Sequence, residues 1–327
     1  MIRFVLRRLG AAAVLLLVLT AIVFGLQKLT PGDGVHAYVG ANASPQAIAA
    51  ARRYLGLDSP LPEQYVRYLW HALHGNFGTS LRTHDSVAGD LGTFFPATAE
   101  LVLWSFLVAL ILAVLFAVSG ALRVPGGFLY RGVLLLGATA PPFLLGLGGL
   151  VLFYAYLGWL PASGRGDDTG PTHLLLLDGL LNGSASQFTG ALEHLVLPAL
   201  ALAIAPGLAI GRILRSSLDA TLATEHVRTA RAKGLAPFWV IARHVIRNSL
   251  GPALSMAGLQ LGFMFAGVVV VEQIFNWPGI GNYLAESIPV ADFPAIAGVT
   301  LLLGSIYIVV NAVVDVLQAL ADPRITL

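Results

Sequence analysis

LGAAAVLLLVLTAIVFGL, Leu9 to Leu26, is an uncharged apolar run whose length decides the class of molecule. About 20 such residues in a helix cross the hydrocarbon core of a bilayer, whereas the apolar core of a signal peptide is shorter. Arg3, Arg7 and Arg8 precede the run, as basic residues precede a secretory signal. The nearest A-x-A triplet, Ala41-Asn42-Ala43, falls too far beyond it to serve as a cleavage site, so the run reads as a retained span. Segments near 97–119, 132–157, 193–211, 252–274 and 294–317 carry the same signature. Together they predict an all-α polytopic membrane protein with six transmembrane helices. Composition agrees: the 327 residues are 57% hydrophobic and only 11% charged, with mean hydropathy +0.79. Soluble domains carry roughly 25% charge.

The placement of arginine and lysine orients the spans. The N-terminal arginines, Arg123, Arg131, Arg324 and the residues Arg212, Arg215, Arg228, Arg231, Lys233, Arg243 and Arg247 fall on one side. Lys28, Arg165 and the four arginines of the long first loop fall on the other, and long loops translocate largely regardless of charge. Both termini and the segment 212–250 are therefore expected in the cytoplasm. A net charge of +2 gives no reason to invoke nucleic acid.

Several chemistries are excluded. Without cysteine there are no disulfides, thiolate metal sites or cysteine nucleophiles. Neither Lys28 nor Lys233 closes a G-x-x-x-x-G-K-[ST] phosphate loop, and Glu193-His194 and Glu225-His226 do not form H-E-x-x-H. GTSL (Gly78–Leu81) contains only a G-x-S triplet. No catalytic, cofactor or metal-ligating set is assigned, and the chain reads as a non-enzyme. His71 and His74 sit three apart on one face of a predicted helix, but no carboxylate joins them or His84 to complete a metal site.

The chain divides into 1–29 (N-terminus and first span), 30–95 (an external helical subdomain) and 96–327 (a core of five spans). In the first loop, Ser44, Pro45 and Gly56 bracket one helix, and Leu61, Tyr65, Leu69 and Leu73, stopped by Gly75, mark another. The third loop, GWLPASGRGDDTGPTH (158–173), reads as a flexible cover. Kinks are expected at Pro141-Pro142, Pro198 and Pro206, and Gly258, Gly262 and Ala266 form a small-residue packing stripe. Glu100, Glu193, Glu272 and Asp315 lie near span ends. Glu272 closes the fifth span beside FNWPGIG (275–281), and with Trp277, Pro278 and Gly279 it is the candidate for an external gate if the spans enclose a path.

RTARAKGLAPFWVIARHVIRN, Arg228 to Asn248, gathers five of the 19 basic residues with no acidic one. DATLATEHVRTARAKG reads as one helix stopped by Gly234, and Pro237 permits a second to start. A cytoplasmic location explains the sign of the charge but not a precise turn.

RTARAKGL followed by RHVIRN resembles the cytoplasmic loop of permeases from the dipeptide/oligopeptide/nickel group of ABC importers. Arg228-Thr229-Ala230 stands where the wider superfamily has Glu-Ala-Ala, and Gly234 holds the glycine position. LGLDSPLPEQYVRYL (55–69), GNFGTSL (75–81), FNWPGIG and DPRI (322–325) are similar to further signatures of that group, in the same order and nearly end to end. Gly251 and Pro252 depart from the superfamily pattern, so the second half of the loop is not mapped.

The resemblance implies the type I ABC importer permease fold with an extracytoplasmic helical insertion after the first helix. It implies ATP-driven import of di- or oligopeptides across the bacterial inner membrane. The partners would be a second, homologous permease, two cytoplasmic ABC ATPase subunits holding ATP and Mg²⁺, and an external substrate-binding protein. Arg228, Thr229, Ala230, Arg231, Ala232, Lys233, Gly234 and Leu235 would dock in a groove of one ATPase. The alternatives are an importer of nickel or another small solute with the same architecture, and an ATPase-independent channel.

Overall fold

The computed structural model describes residues 2–29, 35, 43–54, 56–121, 126–166, 170–235, 237–240 and 246–321. The expectations on Arg243 and on Asp322–Ile325 lie outside them, as do the side chains of Ala230, Arg231, Arg247 and Asp315. The described secondary structure is helical apart from a single bridge between Thr79 and Ser86.

The helices are α1 (Ile2–Leu29), α2 (Pro45–Tyr54), α3 (Leu61–Leu73), α4 (Val87–Ala121), α5 (Gly127–Gly137) and α6 (Pro142–Gly149), whose last turns widen into a π-helix over Leu150–Tyr156. There follow α7 (Leu175–Leu181), α8 (Ala185–Leu222), α9 (Glu225–Ala232), α10 (Pro237–Val240), α11 (Ile246–Ile274), α12 (Ile280–Ser287) and α13 (Phe293–Ala321). Every expected span has a helical counterpart: four extend beyond their expected bounds at both ends, the fifth ends at Ile274 as expected, and the third ends at Tyr156 and is broken. Two expectations change. The helix read as continuous to Gly234 breaks at Ala223-Thr224, where the Thr224 hydroxyl donates to the Thr221 carbonyl at 2.6 Å. The span helix α8 also continues to Leu222, past Arg212, where the basic segment was expected to begin.

The chain forms two compact units, Phe95–Asn282 with Ile306–Leu327, and Met1–Phe94 with Tyr283–Ser305. In the first, α8 is the central helix: 67% of its span is buried within the chain, against 6% for α1. Pro198 and Pro206 are both buried inside it without ending it. Gly207 and Gly211 seat it on α4, where an added Cβ would stand 3.0 Å from the Ala109 carbonyl oxygen and 3.1 Å from that of Ala113. α4 and α11 run antiparallel, since Thr98 meets Glu272 while Ala113 clusters with Ala257.

The third span is broken, with α5 and α6 at 110°. The cause is local: Pro142 lacks the N–H for the helical ladder, and Pro141 drives Ala140 out of the α region. Gly127 begins α5 beside Ser119, whereas Gly146 of α6 lies against Ile274 and Phe275. The bent pair thus leads from the Ser119 end of the unit to the Glu272 end, and counts as one crossing.

The small-residue stripe on α11 serves two of its three members. A Cβ on Gly258 would lie 2.3 Å from Val314 Cγ2, and one on Gly262 2.5 Å from Tyr307 Cδ2, while Ala266 is exposed.

In the other unit, α3 packs on α1 through Tyr65, whose hydroxyl lies 2.9 Å from Thr20 Oγ1 and 3.0 Å from the Leu17 carbonyl. Residues 78–87 form a tight hairpin held against the α12–α13 turn. Asp292 caps α13 by accepting from the Ala295 N–H, and its other oxygen accepts from the Ser80 hydroxyl and the N–H groups of Leu81 and Arg82. Asp90 accepts from Thr83 Oγ1 at 2.6 Å and from the Tyr283 hydroxyl at 2.8 Å. Burial, with the Asp90 charge beside it, raises the Tyr283 pKa, so this hydroxyl stays a donor at neutral pH.

Gly258→Ala should lower the thermal midpoint of the detergent-solubilised chain by several degrees, because overpacking a tight contact costs about 1–3 kcal/mol. Gly251→Ala, where a Cβ meets nothing within 4 Å, is the control and should leave the midpoint unchanged or higher.

Candidate functional site

The first candidate surface is α9 and the turn that ends it. Of its eight residues, Val227 is fully buried, in a cluster with Ala117, Leu214, Leu218, Val240 and Ala253. Burying such a side chain contributes about 1.5–3 kcal/mol, enough to hang a short helix, unstable alone, on the bundle. The rest of the helix is thereby pushed outward. Arg228, Thr229, Ala232, Lys233, Gly234 and Leu235 are all exposed, and the Arg228–Glu225 pair at 3.8 Å lies in solvent. Lys233 N–H closes the last turn onto the Thr229 carbonyl at 3.0 Å, and Gly234 follows with φ +75°. That left-handed conformation is what glycine supplies at a helix end. Sequence reasoning named the exposed residues and missed Val227, though a lone valine in a charged stretch was the available signal.

The second candidate surrounds Glu272, which is buried at the end of α11. Thr98 Oγ1 donates to its Oε1 at 2.6 Å, and the Asn282 N–H donates to its Oε2 at 2.9 Å. Thr98 Oγ1 also accepts from the Ile280 N–H at 2.8 Å, so threonine and carboxyl together satisfy the first turn of α12. Trp277, 1% exposed, donates from Nε1 to the Ala97 carbonyl at 2.9 Å and from its backbone to the Glu272 carbonyl at 2.8 Å. The glycines are steric necessities. A Cβ on Gly279 would fall 2.2 Å from Glu272 Oε1, and one on Gly281 would fall 2.6 Å from Val269 Cα. Pro278 is exposed on the tip of the loop. Glu272, Trp277 and Gly279 are thus brought together, with Thr98 as a member that no sequence signal marked.

The other singled-out groups are placed as follows. Glu100 is buried, accepts from the Leu176 N–H at 2.8 Å and pairs with the buried Arg165 at 3.4 Å. The segment read as a flexible cover is therefore pinned to α4 by an internal ion pair, and it leads into α7, which had not been anticipated. Glu193 is exposed. Ser80 gives its hydroxyl to Asp292 rather than to a histidine. His74 directs Nδ1 to the Trp70 carbonyl at 2.7 Å and packs its ring on Trp70. Among the described residues, no group of three or more His, Asp or Glu is placed to hold a metal ion.

Gly279→Ala is expected to destabilise the chain by about 1–3 kcal/mol, since its methyl must displace a carboxyl oxygen that is hydrogen-bonded to Thr98 or Asn282. Gly148→Ala, with nothing within 4 Å, is the matched control in a thermal-unfolding series.

Residues 105–327 match the family described as the inner membrane component of binding-protein-dependent transport systems, and residues 1–103 match that family's N-terminal segment. A di/tripeptide transport system permease protein of Pseudomonas aeruginosa is 42% identical over 99% of both chains. A probable D,D-dipeptide transport system permease protein of Escherichia coli is 40% identical over 93% of this chain and 92% of its own. A glutathione transport system permease protein of Salmonella paratyphi A is 35% identical over 99% of each. The chain belongs to the inner membrane components of binding-protein-dependent transport systems and has the type I ABC importer permease fold.

Proposed function

We propose that this permease carries di- or oligopeptides, delivered by an external binding protein, across the bacterial inner membrane along a path shared with a second, homologous permease. The observation that carries the mechanism is the construction of α9: one buried valine fixes it to α4, α8 and α11 while Arg228 and Lys233 stay exposed. A cytoplasmic ATPase that grips these residues acts directly on three spans. Two such subunits would hold the ATP and Mg²⁺ and carry out the hydrolysis, leaving this chain without catalytic residues or cofactors of its own. The substrate class rests on the relatives, several of which are named for di- or tripeptides. The excess of arginine around α9 supports a cytoplasmic location for that end and for both termini.

At the other end of α11, Glu272, Trp277, Pro278 and Gly279 are assigned to an external gate. A loop tied to one carboxyl group by main-chain hydrogen bonds moves as a unit with α11 and releases only if those bonds break together. Glu272→Gln places an amide N–H₂ opposite either the Asn282 N–H or the Thr98 hydroxyl proton, and should lower uptake at unchanged expression. Unaltered uptake in that variant would remove the gate assignment.

The deciding experiment is uptake into proteoliposomes containing this chain, its partner subunits, the binding protein and ATP, comparing labelled dipeptide, a longer peptide and nickel. Saturable, ATP-dependent peptide uptake is expected. Nickel uptake without peptide uptake would replace the substrate class, and uptake independent of the ATPases would indicate a channel. In the same system, Gly234→Asp should reduce co-purification of the ATPases roughly tenfold, equivalent to about 1.4 kcal/mol, with membrane insertion unchanged. Normal assembly in this variant would remove the docking assignment.

A further inference from the structure

We infer that α3, the second helix of the first loop, is seated in the bilayer itself, lying in the leaflet at the Leu29 end of α1 with its apolar arc against lipid. Three observations within one compact unit carry this. The first is depth. The span of α1 runs from Gly10 to Lys28, and Tyr65 of α3 bonds the Leu17 carbonyl and Thr20 Oγ1 while the rings of Tyr65 and Tyr68 pack on Phe24. Thr20 lies about 12 Å below Lys28 at 1.5 Å per residue. Its neighbour Leu19 touches Gly304, which is itself well inside the span Phe293–Val314 of α13. Two helices therefore agree that the partners of Tyr65 sit at hydrocarbon depth, and a tyrosine side chain is too short to leave α3 standing clear of the bilayer surface.

The second observation is the exposed face. Beside the tyrosines that meet α1, Leu69, Leu73, Val66 and Trp70 occupy an arc of about 100° at helical spacing. Val66 is 64%, Trp70 63% and Leu73 80% exposed. Glu63, Arg67, His71 and His74 share the adjacent arc, and Glu63 pairs with Arg67 at 3.1 Å. An apolar arc, a polar arc and a tryptophan between them describe a helix lying in the membrane interface. The third observation is continuity. The apolar arc adjoins α1, whose own Val14, Leu15, Val18, Ile22 and Leu26 are exposed in the chain and belong to a membrane span. In water, Val66, Trp70 and Leu73 would form an uncovered patch; in the leaflet they face acyl chains, and Glu63 and Arg67 face the headgroups.

This inference rests on the membrane assignment and not on the peptide proposal, so it stands or falls separately. Because the native chain has no cysteine, Leu73→Cys and Val66→Cys each give a single attachment point for a nitroxide. The variants are reconstituted with the partner subunits in nanodiscs of phosphatidylethanolamine and phosphatidylglycerol, and collision with oxygen and with Ni-EDDA is read by power saturation. At both sites oxygen accessibility should exceed Ni-EDDA accessibility several-fold, the reverse of Asp58→Cys in the exposed turn before α3. Equal or greater access by Ni-EDDA would place α3 in water and overturn the inference. Exclusion of both reagents would overturn it in favour of a protein surface, most directly the second permease. Since both side chains are apolar and exposed, a folding failure of one label leaves the other to decide.

Discussion

Glu272 is the group on which the end of the core unit depends. A carboxyl group inside a membrane bundle is costly unless its oxygens find donors, and here the donors are a threonine hydroxyl and the backbone of the next helix. The solution propagates. Because Glu272 must reach the first turn of α12, the chain after α11 has to fold back tightly, which demands glycine at 279 and 281 and stacks Trp277 into the interior. Thr98 must stand opposite, which sets the register of α4 against α11. One buried acceptor thus dictates four residue choices and the relative placement of two spans.

The opposite end of the same unit is built on the reverse principle. There the exposed charges do nothing for the fold, and a single apolar residue holds the structure. Val227 anchors α9 on residues from α4, α8 and α11, while Arg228, Thr229 and Lys233 stay exposed. The broken third span and the two prolines inside α8 add places where the backbone ladder is interrupted between the two ends.

The ion pair between Glu100 and Arg165 and the clamp of Asp90 and Asp292 on the 78–87 hairpin show the same economy in loops. In each, a buried carboxylate reaches across long sequence separation to satisfy backbone or hydroxyl donors. Segments rich in glycine and polar residues are thereby ordered without an apolar core of their own.

The number of crossings, the sign of the charge on the α9 side, and the glycine that ends α9 were all legible in the sequence. Each follows from local physics: apolar length against bilayer thickness, the retention of arginine and lysine, and the backbone freedom of one residue. Glu272 was noticed as an ionisable group at a span end, but nothing local pointed to Thr98, and nothing in RTARAKG itself said that the preceding Val227 would be its anchor. The pairing of Arg165 with Glu100, the contact of Thr98 with Glu272 and the descent of α3 alongside α1 were decided by the tertiary structure. These depend on which buried donors and acceptors meet across 65 or more residues, or on which face of a short helix finds a neighbour. Periodicity and propensity carry no record of that choice, because burial is a property of the assembled bundle and not of the segment.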